Sequence, residues 1–312
     1  MKPELPVQPL PVVRPLRNPG PSWGYQFLRI ADQILPEIIF RPLRGIGTAI
    51  AMAGMPAERS CSREYLSLVL RRSPTPCDVW RHFFAFEEAL MDKLRAANGK
   101  DLPCTYGEGS SDCTPWLKGD APLLLGTFHV GASDLTGFLL GGYMKHPTYL
   151  VRQRVGNSHD TEQLAARFGD RLRFVWVNNP DDIIFALKDA AASPAAIALQ
   201  CDRVGFSART ESFEFLGAQR LFPVTIYYLA MIFGRSVILS VGMPTKTGAE
   251  LFASPLFSPQ PGEKRAALIT RAHAHFQEFL RQLETLLRKQ PYQWFNFTPL
   301  NPPVTPKTAT RP

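Results

Sequence analysis

From residue 121 onward, short apolar runs alternate with segments of helical periodicity. The apolar runs cover residues 121–128, 148–152, 172–177, 195–200 and 236–241. The other segments predict helices over 132–143, 159–168, 181–192, 223–233 and 263–289. Strands that alternate with helices in this way form parallel sheets covered by helices. The sequence therefore predicts an α/β fold with a mainly parallel central sheet flanked by helices.

The flanking sequence divides the chain into four predicted regions. Residues 1–22 are rich in proline, and residues 299–312 are rich in proline and threonine, so both are expected to be extended tails outside the core. Residues 23–119 are expected to form a helical N-terminal region that ends in a polar loop over 97–119. Residues 120–298 are expected to form the α/β core.

The N-terminal region has the composition of a segment that associates with membranes. Aromatic and aliphatic side chains alternate there with arginines: Trp23, Tyr25, Phe27, Ile30, Ile34, Arg29, Arg41 and Arg44. The longest apolar stretch, 34–55, is interrupted by prolines and charges, so it is too short to span a bilayer. The pattern favours either helices that lie on an anionic membrane surface or a helical pair packed on the core.

Charge and cysteine content exclude several other classes of protein. The net charge of +8 suits an anionic membrane, nucleic acid or an acidic protein partner, or serves solubility alone. None of the common nucleic-acid-binding motifs is present, so nucleic acid is not expected as a partner. The five cysteines are scattered and lack a Cys-x-x-Cys pair, and neither a metal site nor another cofactor is expected.

The first apolar run delivers a histidine to the end of a predicted strand. His129 follows this run, and Asp134 lies five residues later, near the start of the next predicted helix. A histidine whose ring is held by a carboxylate can act as a general base towards a hydroxyl or an amine. A purely structural histidine at a strand end is the alternative.

A second group of polar residues follows the run at 195–200. Asp202, Arg203 and Arg209 are expected on the same side of the sheet as His129, because the carboxyl ends of parallel strands line one crevice. An arginine beside an aspartate suits an anion such as a phosphate. A structural ion pair that ties down a loop is the alternative. Further along, Gly217 is predicted to form a tight turn, with Pro223 in the first turn of a helix.

Together these blocks resemble a known family of enzymes. His-x4-Asp is followed by Asp-Arg-Val at 202–204, Phe-x-Phe-Leu-Gly-Ala at 213–218, Phe-Pro at 222–223 and Ser-Val-Ile at 236–238. This order resembles the lipid A late-acyltransferase branch of the lysophospholipid acyltransferase superfamily, and especially the predicted acyltransferases of aryl polyene-type lipid clusters. The resemblance covers roughly residues 23–297. One departure is Asp134, because that branch usually carries glutamate there.

The resemblance implies transfer of a fatty acyl chain from acyl carrier protein or coenzyme A to a hydroxyl or amine of a lipid or glycolipid. It implies catalysis by His129 and Asp134, and a peripheral location on the cytoplasmic face of the bacterial inner membrane. Backbone N–H groups near Gly131 are the predicted donors to the oxyanion. The remaining predicted substrate-binding residues are Gly131, Ser133, Arg152, Arg154, Asp202, Arg203, Arg209 and Gly217.

Three other interpretations stay open. The chain could be a soluble acyltransferase that acts on a polyketide or another small molecule. It could also be a lipid-binding protein that keeps the fold without turnover. Finally, Cys201 could serve as a nucleophile, although no second histidine is evident beside it in the sequence.

Overall fold

A computed structural model describes residues 22–100, 102–133, 145–152, 169–177, 180–207 and 209–300. The two predicted tails lie outside the described residues, except for residue 22 of the first and residues 299–300 of the second. The predicted helix over 159–168 and all but the start of the one over 132–143 also lie outside.

Four helices form the N-terminal region, as predicted: α1 (Ser22–Ile34), α2 (Glu37–Ala53), α3 (Pro56–Leu70) and α4 (Pro76–Ala97). A capping box starts α4, in which the Thr75 side chain accepts from the Asp78 backbone N–H and the Asp78 carboxylate accepts from the Thr75 backbone N–H. Phe40, Met91 and Leu94 form a small apolar cluster that packs α1 and α2 on α4. Within the described residues, none of the helices is long and apolar enough to cross a membrane.

Seven strands form the central sheet in the order β1-β9-β8-β2-β5-β3-β4. Their bounds are β1 (Cys104–Tyr106), β2 (Leu123–Thr127), β3 (Thr148–Arg152), β4 (Leu172–Trp176), β5 (Ala196–Gln200), β8 (Ser236–Pro244) and β9 (Ala249–Ala253). The five strands from β8 to β4 are mutually parallel, which confirms the predicted α/β class. At the other edge β9 runs antiparallel to β8, and β1 is parallel to β9. The prediction of a loop over 97–119 is therefore wrong, because β1 lies within this range and belongs to the sheet.

A hairpin and four further helices complete the described fold. The helices are α5 (Thr114–Lys118), α6 (Pro180–Ala192), α7 (Thr225–Phe233) and α8 (Arg265–Lys289). The hairpin joins β6 (Thr210–Phe215) to β7 (Ala218–Pro223), and Gly217 makes its turn with a φ of 76°, as predicted. Pro223 ends β7 instead of starting a helix, because α7 begins at Thr225.

Both faces of the central strands are buried. Leu124 of β2 joins a large cluster with α3, α4, α7, α8 and the hairpin, whereas Leu123 and Leu125 join a second cluster on the opposite face. Burial on both faces explains why these strands read as continuous apolar runs. The buried Arg235 fastens α6 to the sheet, since its guanidinium donates to four carbonyl groups at the end of that helix: those of Ala190, Ala191, Ser193 and Ala195.

Candidate active site

Two neighbouring strands bring a histidine and an aspartate together at the carboxyl edge of the sheet. In the register of β2 with β5, Thr127 lies opposite Gln200. His129 and Asp202, each two positions beyond these residues, therefore meet. The Nδ1 atom of His129 lies 2.7 Å from Oδ1 of Asp202. The backbone N–H of His129 also donates to Oδ2 of the same carboxylate, at 2.9 Å. The prediction that Asp202 lies on the His129 side of the sheet is confirmed.

The Asp202 carboxyl group is fully buried. Burial alone would raise its pKa, but the charge and hydrogen bond of His129, the charge of Arg203 and a hydrogen bond from Trp294 together lower the pKa to about 2. A carboxylate can only accept, so Nδ1 of His129 carries the proton in this bond. In the neutral imidazole, Nε2 is then the basic nitrogen.

The ring of His129 is positioned as a base would be. Its side chain is 17% exposed, so solvent or a substrate can approach it. Among the residues that the structure describes, Nε2 has no hydrogen-bond partner. A basic nitrogen with a buried carboxylate behind it is the arrangement that general-base catalysis requires.

The carboxylate that bonds the His129 ring in the described residues is Asp202, and the role predicted for Asp134 stays a prediction. Asp134 itself lies outside the described residues. The predicted contact of Asp202 with a substrate is wrong, because its side chain is fully buried behind the histidine and both of its oxygens accept hydrogen bonds within the protein.

The loop after His129 is locked by backbone contacts. Gly131 has a φ of 50°, and a Cβ atom there would lie 2.5 Å from the carbonyl oxygen of Gly242. Only glycine therefore fits without rearrangement. The N–H of Gly131 donates to the Gln293 carbonyl, and the N–H of Ala132 donates to the Gly242 carbonyl, both at 2.7 Å.

The described backbone N–H groups next to Gly131 are consequently not available as the predicted oxyanion donors, and those from residue 134 onward lie outside the described residues. Every backbone N–H from 129 to 133 already donates to an acceptor within the protein. Ser133 is also buried, and its hydroxyl donates to the Val130 carbonyl and accepts from the Gly242 N–H. Gly131 and Ser133 thus hold the loop in place, which corrects their predicted role in binding substrate.

Two of the predicted anion-binding arginines lie at the carboxyl ends of strands of the central sheet. Arg152 ends β3, and Arg203 directly follows Asp202. The guanidinium of Arg209 lies 5.5 Å from the ring centre of Tyr228, which Arg265 approaches at 5.2 Å. Anion binding by these arginines stays a prediction. Arg154 lies outside the described residues, and the turn described above accounts for Gly217.

Cys201 does not have the properties of a nucleophile. Its side chain is buried, and its Sγ faces the Leu199 carbonyl oxygen at 3.7 Å. Burial, and then the charge of the adjacent Asp202, raise the pKa of the thiol well above its ordinary value. Because the thiolate is the reactive form, this cysteine is inert at neutral pH.

Sequence reasoning missed the segment that supports the pair from behind. The indole Nε1 of Trp294 donates to Oδ2 of Asp202 at 3.0 Å, and the N–H of Phe295 donates to the His129 carbonyl at 2.7 Å. The carbonyl of Trp294 accepts from Nε2 of the buried His82 at 2.8 Å, and Nδ1 of His82 bonds the Ser62 hydroxyl. The aromatic run at 292–297 was visible in the sequence, but nothing in it indicated a partner some ninety residues away.

No protein-family model matches the chain, and no curated protein sequence matches it either. Among the described residues, no group of three or more histidine, cysteine or acidic side chains could hold a metal ion.

Proposed function

We propose that this protein is an acyltransferase that moves a fatty acyl chain from a carrier thioester to a hydroxyl or amine of a lipid or glycolipid. The observation that carries the proposal is the bond between His129 and the buried, ionised Asp202. It supports a general base on a part-exposed ring at the crevice edge of an α/β sheet. The choice of donor and acceptor rests on the motif resemblance described above.

The proposed step is direct transfer between the two substrates. Nε2 of His129 removes the acceptor proton as the acceptor oxygen or nitrogen attacks the thioester carbonyl carbon. The new bond forms, the carbon–sulfur bond breaks, and the departing thiolate takes the proton from the imidazolium. Asp202 stabilises that imidazolium, and a base of this kind contributes roughly 10²–10⁴-fold to the rate. Direct transfer is favoured because Cys201 and Ser133, the nearby candidate nucleophiles, are both buried.

A membrane partner is supported by the orientation of α2. Its buried positions are Phe40, Arg44, Gly45 and Thr48. Large apolar side chains point outwards instead, on α2 and on the adjoining α1: Phe27, Ile30, Ile34, Ile38, Ile39, Leu43, Ile46 and Ile50. We call these eight residues the apolar face. A helix that buries arginine and exposes isoleucine marks an interaction surface.

We propose that the apolar face rests on an anionic bilayer, at the cytoplasmic face of the inner membrane as the resemblance implies. The chain carries a net charge of +8, which attracts anionic lipid, and the aliphatic side chains gain free energy by entering the interfacial region.

The test measures transfer with purified protein, acyl carrier protein or coenzyme A thioesters, and lysolipids in vesicles of phosphatidylcholine and phosphatidylglycerol. His129→Ala should lower the rate by about 10²–10⁴-fold, since it removes the base. Asp202→Asn should also lower the rate. The neutral amide has no negative charge to stabilise the imidazolium of His129, and it does not fix the same tautomer of the ring. The matched control is His146→Ala, which removes a surface histidine that is likewise paired with an aspartate, Asp120.

Released thiol and the acylated product, identified by mass spectrometry, provide the readouts. Full activity of His129→Ala would contradict the mechanism. Transfer to soluble acceptors by a protein that does not bind vesicles would instead support the small-molecule acyltransferase. Specific lipid binding without any turnover would support the non-catalytic interpretation.

A further inference from the structure

An open groove of about 660 Å³ lies along the surface where α2 packs on α4 in the N-terminal region. Ile38, Ile46 and Ala49 of α2 form one side, and Trp80 and Phe84 of α4 form the other. Its volume lies within the range of sites that bind small molecules, roughly 300–1,000 Å³. The groove is distinct from the site at His129, which is built on the carboxyl edge of the sheet.

The α4 side of the groove is an aromatic surface. The rings of Trp80 and Phe84 are stacked with centres 5.1 Å apart and planes 7° from parallel. The indole N–H of Trp80 donates to the Gly45 carbonyl at 3.0 Å, so its one polar atom is turned into the protein. A Cβ atom on Gly45 would lie 3.2 Å from Trp80, and glycine at this position therefore lets the two helices approach closely.

The charged groups at the edge of the groove already have partners. Arg41 pairs with Glu88 at 2.8 Å. Glu37 pairs with both Arg44 and Arg95 at 2.5 Å. A ligand that carried a charge would have to displace one of these pairs. A neutral hydrocarbon only needs to bury its surface, so it suits this lining better.

The groove opens into the apolar face, since Ile38 and Ile46 belong to both. Ile38 is 85% exposed, which leaves the entrance uncovered. We propose that the groove binds one hydrocarbon chain of a membrane lipid, drawn from the bilayer on which the apolar face rests. This inference depends on the proposed membrane contact but not on the proposed chemistry at His129. A hydrocarbon chain held in the groove would anchor α1 and α2 to the bilayer more firmly than contact of the apolar face alone.

The test uses the full chain on vesicles of phosphatidylcholine and phosphatidylglycerol that contain a lipid with a photoactivatable acyl chain. After illumination, mass spectrometry locates the labelled residues. Label on Trp80 and Phe84 is expected, because these rings can be reached by a chain that enters the groove. In Ala49→Trp, which fills the groove, this label should be lost while vesicle co-sedimentation and thermal stability persist.

Ala53→Trp is the matched control, because it places the same ring one turn further along α2, outside the groove lining. It should keep the label on Trp80 and Phe84. Label restricted to the exposed isoleucines, or label on α4 that survives Ala49→Trp, would overturn the groove proposal alone. Failure of the wild-type chain to bind vesicles would overturn both the groove and the membrane contact. The His129→Ala variant should be labelled like the wild type, which separates this result from the outcome of the transfer assay.

Discussion

At the scale of single residues, Trp294 supports the His129–Asp202 pair through a direct hydrogen bond to Asp202. It is fully buried, and its indole N–H is one of the groups that hold the pKa of Asp202 near 2. Trp294→Phe keeps the ring but removes the donor. The pKa of Asp202 should therefore rise, by up to about one unit for the loss of one hydrogen bond.

Carbon-13 NMR of the aspartate carboxyl groups, followed through an acid titration, measures this change. Trp116→Phe is the control, because Trp116 lies elsewhere and is partly exposed. Transfer activity of Trp294→Phe should fall with the loss of orientation at Asp202. An unchanged pKa of Asp202 would mean that Trp294 only fills space.

The identity of the partner of His129 shows where sequence reasoning stopped. Spacing along the chain indicated Asp134, since residues five positions apart can meet at the start of a helix. The carboxylate that bonds the ring lies 73 residues away and meets it through the register of two strands. That Asp202 would lie on the same side could be predicted from parallel topology. Its hydrogen bond from Trp294 could not be predicted, because no local pattern linked the two residues.

At the scale of elements, His82 connects α4 to the segment that carries Trp294. It is buried, and burial lowers its pKa to about 4 despite the hydrogen bond to the Trp294 carbonyl, which raises it. The folded chain thus keeps His82 neutral, whereas the unfolded chain protonates it near pH 6.5. Between about pH 6.5 and about pH 4 the unfolded state binds the extra proton, so stability should fall as the pH falls.

The expected contribution of His82 to this slope is at most about 1.4 kcal/mol per pH unit. His82→Gln should remove that contribution, because an amide does not titrate, while its NH2 group can still donate to the Trp294 carbonyl. Urea unfolding at several pH values measures the free energy of unfolding. A slope unaffected by His82→Gln would show that other groups cause it.

Most strands of the central sheet were predictable from the sequence, and β1 and β9 were not. The runs that became β2, β5 and β8 are apolar because both faces of these strands are largely buried. β1 has only three residues, and its pairing with β9 depends on a contact about 145 residues away along the chain. Composition cannot distinguish such a strand from a loop, because the hydrogen bonds that define it come from a distant partner.

At the scale of the whole molecule, the apolar face and the excess positive charge should act together at a membrane. The aliphatic composition of the face was predictable from sequence. Its direction was not, because the same periodicity fits a helix packed inwards. The buried side of α2 instead carries Arg44, which pairs with Glu87 at 2.7 Å and with Glu37, and this leaves the isoleucines outside.

Replacing three exposed isoleucines by serine tests this arrangement. Ile38, Ile46 and Ile50 are 85%, 59% and 71% exposed, so the triple variant removes little from the folded core. The free energy of unfolding should change only slightly, while binding to vesicles should weaken strongly, since each side chain transferred from water contributes about 1.5–3 kcal/mol when fully buried and less at an interface. Co-sedimentation with phosphatidylglycerol-containing vesicles measures the binding, and a chemical unfolding curve measures stability.

Salt separates the two forces in the same experiment. Wild-type binding should decline as ionic strength rises, because charges are screened within about 10 Å at 0.1 M, and level off where apolar insertion alone persists. The triple variant lacks three of the eight inserting side chains, so its binding should level off at a lower value than that of the wild type at high salt. Replacement of the exposed Ile232 on α7 by serine is the control, since it removes a similar side chain outside the apolar face. Equal vesicle binding by the wild type and the triple variant would place the membrane contact elsewhere on the molecule.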